Sequence, residues 1–285
     1  MSIHDAFNQL LPVIGQGRNG QVFKHKIDGD DVAIKVLTDK ASFQNEVKFL
    51  MLCKSEEFLE IKCICDKKLI IVTPFMTGGC LQKKLQDKSL NTKERSIIAI
   101  ILASGFNKMH AIGVVHRDIK PSNIVIDQYC HPKIIDMDLA CYLGQGITGV
   151  VGTHVYMAPE VKLSHYYNEK CDIFAFGVLL FMLLNNKESL DGLRNFQSYP
   201  NCPKYTVDLI KMCIDNDPKK RPSFSQIVEG MGKQDNLFET TPKQSAKSVI
   251  SRQKPNIIIP NSHKRNNHVV SQNINRMTMN QKRLC

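Results

Sequence analysis

Several things are missing from this 285-residue chain, and each absence narrows the field. No apolar run is long enough to span a bilayer. The longest, Ile173 to Leu184, is twelve residues, whereas a spanning helix needs about 20. The opening residues, Met1-Ser2-Ile3-His4-Asp5, carry no basic-then-apolar signal, and Ser2 stands where N-myristoylation would require a glycine. The ten cysteines include no CxxC pair. They are expected to be reduced thiols, mostly buried, in a cytoplasmic or nuclear protein. Residues 240–285 contain no Asp or Glu and no aromatic residue, yet hold nine of the 38 Lys and Arg. The formal charge of +11 therefore falls to +2 over the first 239 residues. A nearly neutral body argues against a nucleic-acid-binding fold. What remains is ordinary for a soluble globular enzyme: 42% apolar and 23% charged residues.

The pattern divides the chain. Val32 to Val36 and Leu69 to Val72 are short β-branched runs, with Asp28, Gly29, Asp30 and Asp31 supplying a turn before the first. Cys63 and Cys65 alternate as strand neighbours do. Ser42 to Cys53 reads as a helix, with Phe43, Val47, Leu50 and Met51 at helical spacing. From about Leu90 the chain turns mainly helical. Thr92 is expected to cap a helix carrying Ile97, Ile98, Ile101 and Leu102. Ile173 to Leu184 is apolar nearly all round, which predicts a buried central helix. Tyr205 to Ile214 and Ser223 to Met231 predict two more, with Asp217-Pro218 breaking between them. After about Asn236 the periodicity ends in a segment rich in Lys, Asn, Ser and Gln, which predicts disorder.

Three runs carry chemistry. Gly15-Gln16-Gly17-Arg18-Asn19-Gly20-Gln21-Val22 fits GxGxxGxV. It is either a loop that lets phosphates approach a backbone without Cβ atoms or simply a glycine-rich turn. A dinucleotide fold would open a helix after it, but here a strand, a turn and another strand follow. Val32-Ala33-Ile34-Lys35 places a lysine inside an apolar strand, facing away from Ile34 and Val36. It is either a surface lysine or one turned toward a partner such as Glu46, eleven residues on. His116-Arg117-Asp118-Ile119-Lys120-Pro121-Ser122-Asn123 fits HRDxKxxN.

In this order the runs resemble eukaryotic protein kinases, over roughly residues 8–238. Lys120 and Gly152-Thr153 before Ala158-Pro159-Glu160 resemble the serine/threonine type. The stretches around Asp172 to Gly177 and Asp217 to Phe224 are similar to the tyrosine-kinase-like group. The resemblance implies an α+β, bilobal fold, with a small β-rich lobe carrying one helix (8–75) and a larger, mainly helical lobe (76–238), followed here by the basic tail (239–285). It implies ATP and Mg2+ as cofactors and proteins bearing Ser or Thr as substrates. Asp118 would orient or deprotonate the acceptor hydroxyl, Lys120 would touch the transferred phosphate, and Asn123 and Asp136 would bind magnesium. Lys35, held by Glu46, would meet the α- and β-phosphates. Gly15, Gly17 and Gly20 would cover the phosphates. Ile14, Val22, Ala33 and Val125 would enclose the purine, with Thr73 as gatekeeper and Pro74 to Met76 as hinge; Val125 alternatively reads as plain core. Asp172 would anchor the catalytic loop and Arg221 would pair with Glu160.

Asp136-Met137-Asp138 departs from the family's Asp-Phe-Gly. Asp138 is expected to point to solvent, with the loop held in the active arrangement; the alternative is that it draws magnesium away from Asp136 or repels the ATP phosphates and slows the reaction. Arg117 is expected to receive a phosphate on Thr148, while Thr153 contacts Asp118 and Lys120. Two rival readings stand beside this one. The first is a pseudokinase scaffold of the same fold, which would be expected to lack Lys35, Asp118 or Asp136, whereas all three are present. The second gives the main function to the tail, through a polyanionic or acidic partner, nucleic acid or membrane.

Overall fold

The computed structural model describes residues 12–144, 149–163, 167–193 and 202–239. Five antiparallel strands form the first layer: β1 (Val13–Gly17), β2 (Gly20–Ile27), β3 (Asp30–Leu37), β4 (Cys63–Cys65) and β5 (Ile70–Pro74), in the order β1-β2-β3-β5-β4. Alternation in β3 sorts its faces. Val32 and Ile34 are buried and pack with Ile70 and Val72, so Ala33 and Lys35 look the other way. The predicted turn contracts to Asp28-Gly29, because Asp30 and Asp31 already pair with Ile27 and Lys26.

One helix, α1 (Lys40–Leu52), follows β3, and Asp39 caps it by accepting from the Ser42 N–H. Its buried residues are Phe43, Glu46, Phe49 and Leu50. The inward face is thus rotated from the apolar set read off the sequence, because it must carry a carboxylate toward β3. The chain leaves β5 at Pro74 and continues through β6 (Gly79–Cys80) and α2 (Leu81–Gln86) into α3 (Thr92–Ala111). Asn91, not Thr92, caps α3. Its side chain accepts from the Glu94 N–H while the Glu94 carboxylate accepts from the Asn91 N–H, and this reciprocal box fixes the start one residue earlier. The buried face of α3 runs through Ile98, Leu102, Phe106 and Met109, which leaves Ile97 and Ile101 half-buried.

After α3 come β7 (Val114–Val115), β8 (Ile124–Ile126), β9 (Pro132–Ile134), β10 (Cys141–Tyr142) and the short α4 (Pro159–Leu163). Strands β6, β8 and β9 form one small sheet, and β7 with β10 another. The core helix α5 (Lys170–Asn185) is buried along Ile173 to Leu184 except at Phe174. A Cβ on Gly177 would sit 2.5 Å from the Cys213 Cβ, so only glycine permits α6 (Lys204–Cys213) to lie this close. Helix α7 (Phe224–Met231) begins at a Ser223–Gln226 capping box. Phe224 from α7 packs on Phe106 and Phe176.

The nine described cysteines are all free, but only Cys53, Cys171 and Cys213 are buried; the other six are half-buried. Cys63, Cys65, Cys80 and Cys141 lie in short strands and Cys130 and Cys202 in loops, so the expectation of mostly buried thiols fails. Among the described residues no helix is long and apolar enough to cross a membrane.

Candidate active site

Lys35 and Glu46 meet because β3 and α1 present them to each other: Nζ lies 2.7 Å from Glu46 Oε2. The same ammonium lies 2.7 Å from Asp136 Oδ1. Burial disfavours the Lys35 charge, but the two carboxylates outweigh it and raise the pKa, so the ammonium persists. Burial pushes Glu46 up to about 7, with Lys35 pulling against it. Asp136 has a left-handed backbone, φ 64°, which Asp tolerates better than most residues.

The HRD segment is pinned from below. Asp172, buried on α5, accepts from the His116 N–H (2.8 Å) and the Arg117 N–H (2.9 Å), and its Oδ2 lies 2.9 Å from His110 Nε2. Burial would raise the Asp172 pKa, but His110 and the loop donors lower it. A depressed carboxylate contributes stability above its unfolded-state value and loses it as the pH falls through the folded value. Asp172→Asn should therefore lower the thermal midpoint at neutral pH. The gap from wild type should shrink below about pH 4, which melts across a pH series will read. A gap independent of pH would deny Asp172 its charge role.

On that platform four side chains converge. Asp118 Oδ1 accepts from the Thr153 N–H and hydroxyl, both at 2.9 Å. Its Oδ2 lies 2.6 Å from Lys120 Nζ and 3.0 Å from Asn123 Nδ2, and Lys120 donates to Thr153 Oγ1 at 2.7 Å. Burial would raise the Asp118 pKa, but Lys120 and Thr153 lower it, so the group is ionised at neutral pH. Gly152 permits this approach: at φ +104° a Cβ there would lie 2.5 Å from the Arg117 carbonyl oxygen.

Whether the chain could hold magnesium turns on its donors. Asn123 spends its amide N–H groups on the Asp118 carbonyl and carboxylate, which leaves its amide oxygen to offer. Asp136 offers the oxygen not bonded to Lys35. Two hard oxygen donors suit a cation that keeps several waters and takes the rest of its shell from phosphates.

The glycines of the β1–β2 hairpin separate by cause. A Cβ on Gly20 would lie 2.2 Å from the Val36 carbonyl oxygen, so that glycine serves the sheet. Gly17 has nothing within 4 Å and Gly15 only Val22 at 3.6 Å, so these two leave room above the cleft. Ile14 is 46% exposed, and Val22 and Ala33 are half-buried. Val125 is half-buried between the buried Ile124 and Ile126. None of these four joins a hydrophobic core cluster, which disfavours the core reading of Val125. Thr73, 8% exposed, pairs with Ala33, and Pro74 with Val32. Lacking an N–H, Pro74 costs the ladder nothing at the strand end. The next amide, Phe75, donates to the Asp31 carbonyl at 3.1 Å, and Met76 accepts from the Gly79 N–H.

Asp138 does not point to solvent. Its Oδ2 accepts from Asn19 Nδ2 at 2.8 Å, beneath the glycine-rich loop, because that loop closes down over the segment. Burial, then the nearby Asp136, push its pKa up. Asp138 lies outside the left-handed region, so this arrangement needs no glycine there. Met137 is fully buried, as an apolar replacement should be. Arg117 donates through Nε to the Leu139 carbonyl at 2.6 Å; Thr148, its expected phosphorylated partner, lies outside the described residues. The sequence reading missed Asn19 and Asn45. Asn45, next to Glu46 on α1, donates to the carbonyls of Asp138 (2.6 Å) and Ala140 (2.8 Å). Nothing in the pattern marks either asparagine, except that both flank predicted site residues.

A strand lysine bonded to a helix glutamate and to Asp136, together with an HRD loop anchored by Asp172, is the kind of arrangement that phosphoryl transfer uses. Comparison with known proteins agrees: the protein kinase domain family matches residues 9–231, and the chain belongs to that family. Similar curated proteins come from Dictyostelium discoideum. One named "Probable LIM domain-containing serine/threonine-protein kinase" is 32% identical over 249 residues, which is 78% of this chain and 38% of that protein. A "Probable serine/threonine-protein kinase" is 30% identical over 242 residues, 75% and 26% of the two chains. "Dual specificity protein kinase shkB" is 30% identical over 247 residues, 75% and 38%. The chain thus spans between about a quarter and two fifths of the length of these relatives.

Proposed function

We propose that the chain is a catalytically active protein kinase that moves the γ-phosphate of ATP, with magnesium, to serine or threonine hydroxyls of protein substrates. The observation that carries this reading is Asp118. It is ionised, held by Lys120, Asn123 and Thr153, and placed on a loop fixed by Asp172. Asp118 orients the acceptor hydroxyl and takes its proton as the oxygen bonds to the γ-phosphorus and the bond to the bridging oxygen breaks, releasing ADP. Lys120 follows the transferring phosphoryl group. Lys35, fixed by Glu46, grips the α- and β-phosphates. Magnesium, when bound by Asn123 and Asp136, neutralises phosphate charge. Ile14, Val22, Ala33 and Val125 enclose the base between the lobes, with Thr73 limiting its depth and the hinge at Pro74 and Met76 supplying backbone polar groups.

Lys120 beside Thr153 supports a Ser/Thr acceptor, and two of the relatives above carry that specificity in their names. Reduced-type cysteine usage supports a cytoplasmic or nuclear location. Residues 240–285 lie outside the described residues; their nine Lys and Arg, with no Asp or Glu, support a polyanionic or acidic partner for the tail. Salt titration of nucleic-acid binding with and without residues 240–285 tests that.

A scaffold without turnover remains the second reading, and Asp138 is the one observation that favours it. The two readings part on the phosphate grip. Lys35→Met should cut turnover about 10²-fold or more, because the lysine meets phosphate itself. Glu46→Gln should cost about tenfold, since it only holds the lysine. Steady-state rates with a peptide acceptor measure both. A silent Glu46→Gln would dissolve the pairing, and a silent Lys35→Met would remove the nucleotide site from this cleft.

A further inference from the structure

Three residues that the proposed chemistry does not use tie the glycine-rich loop, α1 and the Asp136 segment together. Asn19 sits at the β1–β2 tip. Its backbone carbonyl accepts from the Thr38 N–H (2.9 Å) at the end of β3, so its position is fixed from behind. Its side-chain amide donates forward to Asp138 Oδ2 (2.8 Å) and to Ser42 Oγ (3.0 Å). Ser42 and Asn45 stand three apart on α1 and so share a face, and Glu46 adjoins them. Asn45 holds the Asp138 segment by its backbone carbonyls while Asn19 holds it by its carboxylate. A glycine at 138 would keep the first contact and abolish the second.

We propose that Asn19, Asn45 and Asp138 form a clasp that closes the glycine-rich loop onto the Asp136 segment before nucleotide arrives, and that this clasp sets the rate at which nucleotide leaves. Because a carboxylate acceptor makes a stronger hydrogen bond than a neutral one, the Asn19–Asp138 contact is the strong link and Asn45 the backbone tether. If the cleft takes ATP, as proposed above, the loop must open against this link for each ADP to depart. Asp138 and Asn19 are thus positioning residues; neither is required to touch the reacting atoms.

Two measurements test the clasp, one of them free of nucleotide. Amide hydrogen exchange on the nucleotide-free full chain should show residues 18–20 and Thr38 exchanging about tenfold faster in Asn19→Ala and in Asp138→Gly than in wild type. Unchanged exchange in both variants would overturn the clasp. Stopped-flow release of a fluorescent ADP analogue should be about tenfold faster in Asn19→Ala and in Asp138→Gly, and no faster in the double variant than in Asn19→Ala, because both changes remove the Asn19–Asp138 bond and Asn19→Ala already removes the one to Ser42. Effects that multiply in the double variant would overturn the shared link. So would slower release from Asp138→Gly, which would show that the carboxylate acts by repelling phosphate. If wild type binds no ADP, the nucleotide reading and the release role both fall, while faster loop exchange in the variants would still support the clasp.

Discussion

Asp118→Asn should reduce phosphoryl transfer to protein by about 10²–10⁴-fold, the range in which a positioned acid–base group contributes, while ATP affinity changes little. The reason is geometric. Asp118 belongs to the cluster with Lys120, Asn123 and Thr153, whereas the phosphate grip belongs to Lys35, Glu46 and Asp136. The asparagine keeps the shape and an oxygen for Thr153, but it cannot accept a proton at neutral pH and loses the ion pair with Lys120. Single-turnover transfer, set beside calorimetric ATP binding, separates the two effects. Wild-type turnover in the variant would take the base role from Asp118. A parallel loss of ATP affinity would mean that Asp118 itself helps to hold the nucleotide.

Arg221→Ala should lower the thermal midpoint by about 6–20 °C without altering the chemistry of the surviving folded protein. The Arg221 guanidinium has no solvent exposure and makes a two-point pair with Glu160, at 2.6 and 2.8 Å. It also donates to the carbonyls of Asp215 and Lys170 and lies 5.0 Å from the centre of the Phe174 ring. Removing one member of a buried pair strands the other, at a cost of about 3–5 kcal/mol. In a domain of this size each kcal/mol moves the midpoint by roughly 2–4 °C. That is a large part of the roughly 5–15 kcal/mol that holds a domain folded. A shift under about 2 °C would show that Glu160 finds other partners.

What could be read from the sequence, and what could not, follows from the range of each interaction. The lysine strand was legible because alternation is local: Ile34 and Val36 fix the face that Lys35 must take. The central helix was legible because an all-apolar run of that length has one home. The Arg221–Glu160 pair and the Asp172 anchor were legible only through motif resemblance, since 61 and about 55 residues separate the partners. The start of α3 was misplaced by one residue because Asn91 and Thr92 are both good caps, and the choice rests on the reach of Glu94. Asp138 was misread for a deeper reason. Its partner Asn19 lies 119 residues away, joined by a side-chain contact that no periodicity encodes. The cysteines were misjudged because residue type does not tell a core position from a short strand or a loop, where six of the nine described ones lie half-buried.

One measurement bears most directly on the central claim of an active serine/threonine kinase. The purified protein is incubated with γ-labelled ATP, magnesium and a random peptide library, and the labelled acceptor residues are identified beside an Asp118→Asn control. The account predicts label on serine and threonine, dependent on magnesium, and lost in the control. Absence of label from a protein that binds ATP, or equal labelling by the control, would contradict it.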